Sequence, residues 1–337
     1  MILKKIKEEI NYYKNNKKEL IFLLLPIVIA IILLIPVPYV YTTGGGIIKL
    51  DKKIVVDDEY KSKGTLNAAY VKEVKGTVFT YLASKIMKYD EEKQEDMTLD
   101  NETMKEYSFR ERMYFEDSIN NAIFVAYNKA GKDINIKGVK YYVVYIDEKS
   151  NTTLKVKDEI IKIDGKEVTS YKELKERLNS YEENDKITIT VIRDGKEKDE
   201  TAIMQNIDNE KVIGLYVLES YDYTLENDIE FLFSSKEAGP SGGLMLSLTI
   251  YNKLTNEDIT KGKKIVGTGT IDKDGVVGEI SGIKYKLKGA VNSKADVFIT
   301  PYENYEEAIK EKKKNNYDIK IIYAKDFDDA INKLKNL

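Results

Sequence analysis

Two short segments hold residues that could do acyl-transfer chemistry. Gly239-Pro240-Ser241-Gly242-Gly243 offers a serine hydroxyl in a turn bracketed by glycines. Val276-Val277-Gly278-Glu279-Ile280-Ser281-Gly282-Ile283-Lys284 brings a lysine out of an apolar run. The chain has no histidine and no cysteine. A serine nucleophile here needs another base, and a lysine serves once burial lowers its pKa enough to supply the neutral amine. Ser-Lys is a known form of the nucleophile–base pair. The same composition removes Ser-His-Asp triads, cysteine nucleophiles and zinc sites of the His/Cys kind.

Each residue also has a plainer reading. Pro240 fixes φ, and Gly239 and Gly242 let the backbone approach a substrate carbonyl closely. Unpaired N–H groups at a helix start would make that turn an oxyanion hole. An ordinary helix start uses Pro and Ser as well. Lys284 alone says little in a chain with 54 Lys and Arg residues; its apolar approach is what lifts it. Asp272-Lys273-Asp274-Gly275 lacks the remaining ligand spacing of a calcium loop and reads as a plain turn. No metal is expected. No Gly-x-x-x-x-Gly-Lys-Ser/Thr phosphate loop occurs, so no nucleotide or other cofactor is expected. A net charge of −3 gives no basic field for nucleic acid.

The positioning elements come next. A length of 337 residues suits about two domains. After a lysine-rich leader over residues 1–19, Leu20 to Val40 carries no charge and is dominated by Leu, Ile and Val. That run is long enough for a transmembrane anchor over 20–41, with a cytoplasmic amino terminus and the rest of the chain extracytoplasmic. The leader is long for a cleaved signal peptide, and no small-x-small site follows. Pro36 and Pro38 mark the helix end. Gly44-Gly45-Gly46 reads as a flexible exit, Ile47 to Val56 as a hairpin, and Gly64 to Tyr81 as further strand. Phe109 to Lys129 has a helical apolar pattern that Gly131 would cap. Strands then follow at Val139–Ile146, Ile160–Ile163 and Ile187–Ile192, around a helix over Val168–Asn179. From Val212 strands and helices alternate, with a buried helix from Gly242 to Leu254 and a helix from Ile283. The fold class is α+β.

These segments resemble two known families. Leu154, Asp158 to Val168 and Ile187 to Gly195 resemble a PDZ domain over 135–205, although Lys157-Asp158 stands where that family usually has Gly-Asp. The resemblance implies a groove for extended peptides between the strand at Gly138-Val139 and the helix at Tyr171. The plainer alternative is a small packing module. Glu237 to Met245, Gly267 to Ile271, Gly275 to Lys284 and Thr300 to Asn304 resemble, in order, the proteolytic domain of Lon peptidases over 206–337. Gly242 replaces that family's usual alanine, and Ser281-Gly282 its Gly-Gly. With the anchor, the chain resembles membrane-anchored, PDZ-containing Lon-like proteases of bacteria. The resemblance implies Ser241 as nucleophile, Lys284 as general base and Thr268 as orienting partner, with protein or peptide substrates and possible homo-oligomers. Residues 44–131 weakly resemble the opening of a Lon proteolytic domain, which would insert the PDZ-like module within one protease domain. The rival classes are a non-catalytic PDZ adaptor on a protease-like scaffold and a structural cell-surface anchor.

Overall fold

The computed structural model describes residues 12–234 and 239–337; most of the basic leader and Glu237-Ala238 lie outside them. The chain divides into two compact units, Met1–Gly44 with Lys72–Met97, and Gly45–Val71 with Thr98–Leu337.

In the first unit, helix α1 (Lys17–Leu33) gives way to strand β1, which starts at Pro36 and runs to Lys49. The uncharged run is therefore split between a helix and a strand and is not one helix over 20–41. Pro36 and Pro38 open β1, and a proline disfavours helical geometry in the residue before it, although α1 accommodates Pro26 in its interior. Among the described residues no helix is long and apolar enough to cross a membrane. None of α1's side chains is buried, including Phe22, Leu25 and Ile29.

Two other expectations also change. Strand β2 (Ile54–Val56) does not form a hairpin with β1, because a single 3₁₀ turn (Leu50–Lys52) leads into it and its partner is a distant strand, Ile229–Phe231. Strand β3 (Thr65–Thr77) stops before Phe79, and helix α2 (Val78–Met87) begins. A capping box at Thr77 and Thr80 starts that helix by satisfying both backbone donors. Strand β4 (Asp90–Lys93) pairs antiparallel with β1, and a short helix α3 (Gln94–Met97) closes the unit. Gly45 and Gly46 lie within β1, where an added Cβ would meet the backbone oxygen of Tyr285 and the ring of Tyr70. They are close-packing residues rather than a flexible exit.

The second unit, which holds β2 and β3 up to Val71, continues after Thr98 with helix α4 (Met104–Ala130), opened by a Thr103–Glu106 capping box and closed by Gly131 at φ 66°. Its next strands are β5 (Ile134–Ile146), β6 (Glu159–Ile163) and β7 (Lys166–Glu167). Helix α5 (Tyr171–Asn179) follows, then β8 (Lys186–Arg193), β9 (Lys196–Ile203), β10 (Gln205–Ile207) and β11 (Glu210–Val212). Strand β12 (Leu215–Leu225) then returns to pair antiparallel with β5, giving the order β12-β5-β6-β8-β9. The expected boundary at residue 206 falls in β10, between β9 and β12 of this sheet in sequence. Ile187, Ile189 and Val191 alternate inward from β8 and meet Leu174 of α5 in a core of their own.

Strand β13 (Ile229–Phe231) leads to the Gly239–Gly243 turn and helix α6 (Gly243–Leu254). The rest alternates: β14 (Lys264–Gly267), β15 (Thr270–Ile271), β16 (Val277–Gly278), helix α7 (Ile283–Asn292), β17 (Val297–Pro301), α8 (Tyr305–Asn315), β18 (Lys320–Ala324) and α9 (Phe327–Lys335). Strands β18, β17, β14 and β3 are parallel neighbours in that order. Successive residues face opposite ways, so Ile265, Val297 and Ile299 join α4 and α6 on one face. Val266 and Phe298 join α7 and α8 on the other. Both faces are thus covered, as a parallel sheet requires. Each buried aliphatic side chain contributes roughly 1.5–3 kcal/mol.

Candidate active site and peptide groove

The Ser241 turn and the Lys284 turn reach the sheet from opposite faces. Helix α6 lies on the face lined by Ile265, and α7 on the face lined by Val266. Both begin near the carboxyl ends of β14 and β17, the usual place for ligands in an open parallel sheet. Strand β3 touches both turns. Gly242 faces Ala68, and Gly282 faces Val71, three positions further along, a step of roughly 10 Å at strand rise.

The serine turn is held from three sides. Gly239 has φ 151°, a conformation open to glycine and strained for any other residue. Pro240 has no N–H, and its carbonyl accepts from the Ser118 hydroxyl at 3.2 Å and from the Gly243 N–H. It shapes the turn and, lacking an N–H, has no main-chain donor to offer an oxyanion. The carbonyl of Ser241 accepts from Gly269 N–H at 2.8 Å and from the Thr268 hydroxyl at 3.0 Å. Thr268 is fully buried, and its hydroxyl binds the main chain of Ser241. Ser241 itself is half-buried.

Lys284 is half-buried in the first turn of α7, with Nζ 4.7 Å from the centre of the Tyr285 ring. The approach to it is fixed by Asn304, a buried side chain that sequence reasoning gave no role. Its Nδ2 donates to the Ile280 carbonyl and its Oδ1 accepts from the Ile280 N–H, both at 2.9 Å. Gly282 at φ 76° then turns the chain into α7. Ser118 and Asn304 were missed because nothing local marks them; their partners lie 122 and 24 residues away.

A second feature is a cleft of about 590 Å³ between β12 and α5. Leu174 and Leu178 form one wall and Leu215 and Val217 the other. Among the described residues no strand pairs with the outer edge of β12, the end strand of its sheet. Tyr171 lines this cleft. Gly138 and Val139 do not: they face Asp222 and Tyr221 of β12 across one edge of β5, which pairs with β6 further on, at Tyr141 and Tyr142. An added peptide strand needs a free edge, and β12, the end strand beside this cleft, offers one. Ile213-Gly214-Leu215, where Gly214 has φ 68° ahead of an alternating strand, is the signal that sequence reasoning passed over.

A family model described as the Lon protease (S16) C-terminal proteolytic domain matches residues 234–336, and one described as a PDZ domain matches residues 108–203. The chain joins a PDZ domain to a Lon-type proteolytic domain. The PDZ match starts within α4 and ends at the close of β9, so β12 completes the PDZ sheet from beyond it. The Lon match contains both candidate turns. No curated protein matches the chain. Among solved structures, the second domain of the listeria protein Lin2157 is similar at 19% identity, covering 25% of this chain and 83% of that one with a TM-score of 0.20.

Proposed function

We propose that the protein is an ATP-independent serine endopeptidase in which Ser241 is the nucleophile and Lys284 the general base. The observation carrying this reading is the convergence of the two turns on β3 at Ala68 and Val71, with Thr268 holding the serine's own carbonyl. The neutral Lys284 amine takes the proton from the Ser241 hydroxyl as that oxygen attacks the scissile carbonyl carbon. Backbone N–H groups of the turn, Gly242 among them, stabilise the oxyanion. The lysine then returns the proton to the departing amine. Water resolves the acyl-enzyme, with the lysine again as base.

The cleft along β12 would take an extended carboxy-terminal peptide by strand addition, its carboxylate near Gly214. We further propose that α1 sits in a membrane and holds the catalytic unit outside the cytoplasm. Support comes from the uncharged run after Leu20, and from Phe22, Leu25 and Ile29 exposed around the helix. Phe79, Leu82 and Ile86 of α2, also exposed, extend the apolar surface in the same unit.

The test is the pH profile of peptide hydrolysis. A lysine base must be neutral, so kcat rises with pH as the amine loses its proton. Lys284→Gln should remove turnover by about 10³-fold or more while the fold persists by circular dichroism. Turnover retained in that variant would remove Lys284 from the mechanism.

A further inference from the structure

Helix α4 touches both the peptide cleft and the serine turn, one helical turn apart. Tyr114 lines the cleft, and Ser118, four residues on, donates to the Pro240 carbonyl at 3.2 Å. Residues so spaced lie on one face, roughly 6 Å apart. The same helix follows β12 along its length. Leu218, in the wall of the cleft, packs on Phe109 and Met113. Further on, the Phe124 ring meets Tyr221 and Tyr223 edge-on at 4.9 and 6.0 Å, and the Tyr223 hydroxyl donates to Asn120 at 3.2 Å. Asn121 then reaches the Ile271 carbonyl at 3.3 Å, two residues after Gly269, whose N–H holds the Ser241 carbonyl.

We propose that peptide occupancy of the cleft is coupled to the state of Ser241 through α4, with Ser118 as the positioning residue that transmits it. This rests on the reading of Ser241 as nucleophile and of β12 as the peptide edge. A strand added to β12 restrains the element that α4 grips, and α4 in turn fixes the carbonyl immediately before Ser241. A turn already restrained costs less to order when the serine reacts. The coupling is reciprocal, so reaction at Ser241 must change peptide affinity by the same factor.

The experiment uses that reciprocity. A fluorescein-labelled peptide ending in Tyr-Ile-Leu-Val with a free carboxylate is titrated onto the full chain in detergent, followed by anisotropy. The titration is repeated after Ser241 has been capped by a fluorophosphonate. The coupling predicts tighter binding to the capped protein, by about fivefold or more, the low end of typical coupling. In Ser118→Ala the peptide should still bind, with the capped and free proteins alike. Tyr223→Phe, which keeps the ring and loses only the hydroxyl, should shrink the difference if Ser118→Ala fails to fold. Equal or weaker affinity after capping overturns the coupling and leaves both sites standing. A difference that survives in both variants overturns the route through α4. Failure of the fluorophosphonate to label Ser241, or of the peptide to bind at all, defeats the underlying reading and the coupling with it.

Discussion

An added Cβ at Gly242 would have the Ala68 Cβ as its nearest neighbour, at 4.0 Å, and φ there is −95°. At Gly243 the same atom would lie 2.7 Å from the Ser118 oxygen and 3.0 Å from Ile271. Gly242→Ala should therefore be neutral or stabilise by up to about 1 kcal/mol, through a less flexible unfolded chain. Gly243→Ala should cost about 1–3 kcal/mol by overpacking and disturb the Ser118 contact. Thermal unfolding of the two variants beside the parent checks this; a stable Gly243→Ala would mean that the turn is looser than described. The glycine in place of the usual alanine is thus a departure without a steric cause. Lys157 is a different case. It replaces the usual glycine and is held at φ 83°, so the residue type was misleading while the backbone need was unchanged. Its neighbour Asp158 still does its work, gripped by Arg193 at 2.6 and 2.7 Å. The turns carrying Ser241 and Lys284 stand out in the sequence because glycines and apolar residues mark both. Asn304 and Ser118 do not, because an ordinary Asn or Ser gains its meaning only from a distant backbone group.

At the scale of elements, helices and strands were legible wherever period and cap agreed. Gly131 and Asp326 mark their helix ends in the sequence, and both act as caps. Strand partners were not legible. The apolar alternation of Ile47 to Val56 suits any pairing, and β2 found Ile229–Phe231 instead of its neighbour. The same holds for β5, whose edge at Gly138 and Val139 is covered once β12 returns to pair with it. Strand addition to β12 makes a specific prediction. Methylating alternate amide nitrogens of a bound peptide, on the side facing β12, should cost about 1 kcal/mol per lost bond. Affinity measured by anisotropy should fall several-fold for one phase of methylation and little for the other. Equal losses in both phases would argue for side-chain capture without an added strand.

For the molecule as a whole, one parallel sheet draws strands from both ends of the sequence. Strand β3 pairs with β14 across roughly 200 residues of chain, Thr65 opposite Lys264. Leu50, Leu66 and Ile123 share a core with Leu244 and Phe327. The PDZ sheet lies in between, with α4 packed against both. Such an arrangement was only faintly legible, since the sequence shows which residues are apolar and not which distant segments share a core. It gives the account a single central claim: one serine, served by one lysine, cleaves protein substrates without nucleotide. The most direct test incubates the full chain in detergent with casein in the absence of ATP, beside Ser241→Ala. The account predicts fragments from the parent and none from the variant. Intact casein with the parent, or equal cleavage by Ser241→Ala, would contradict it.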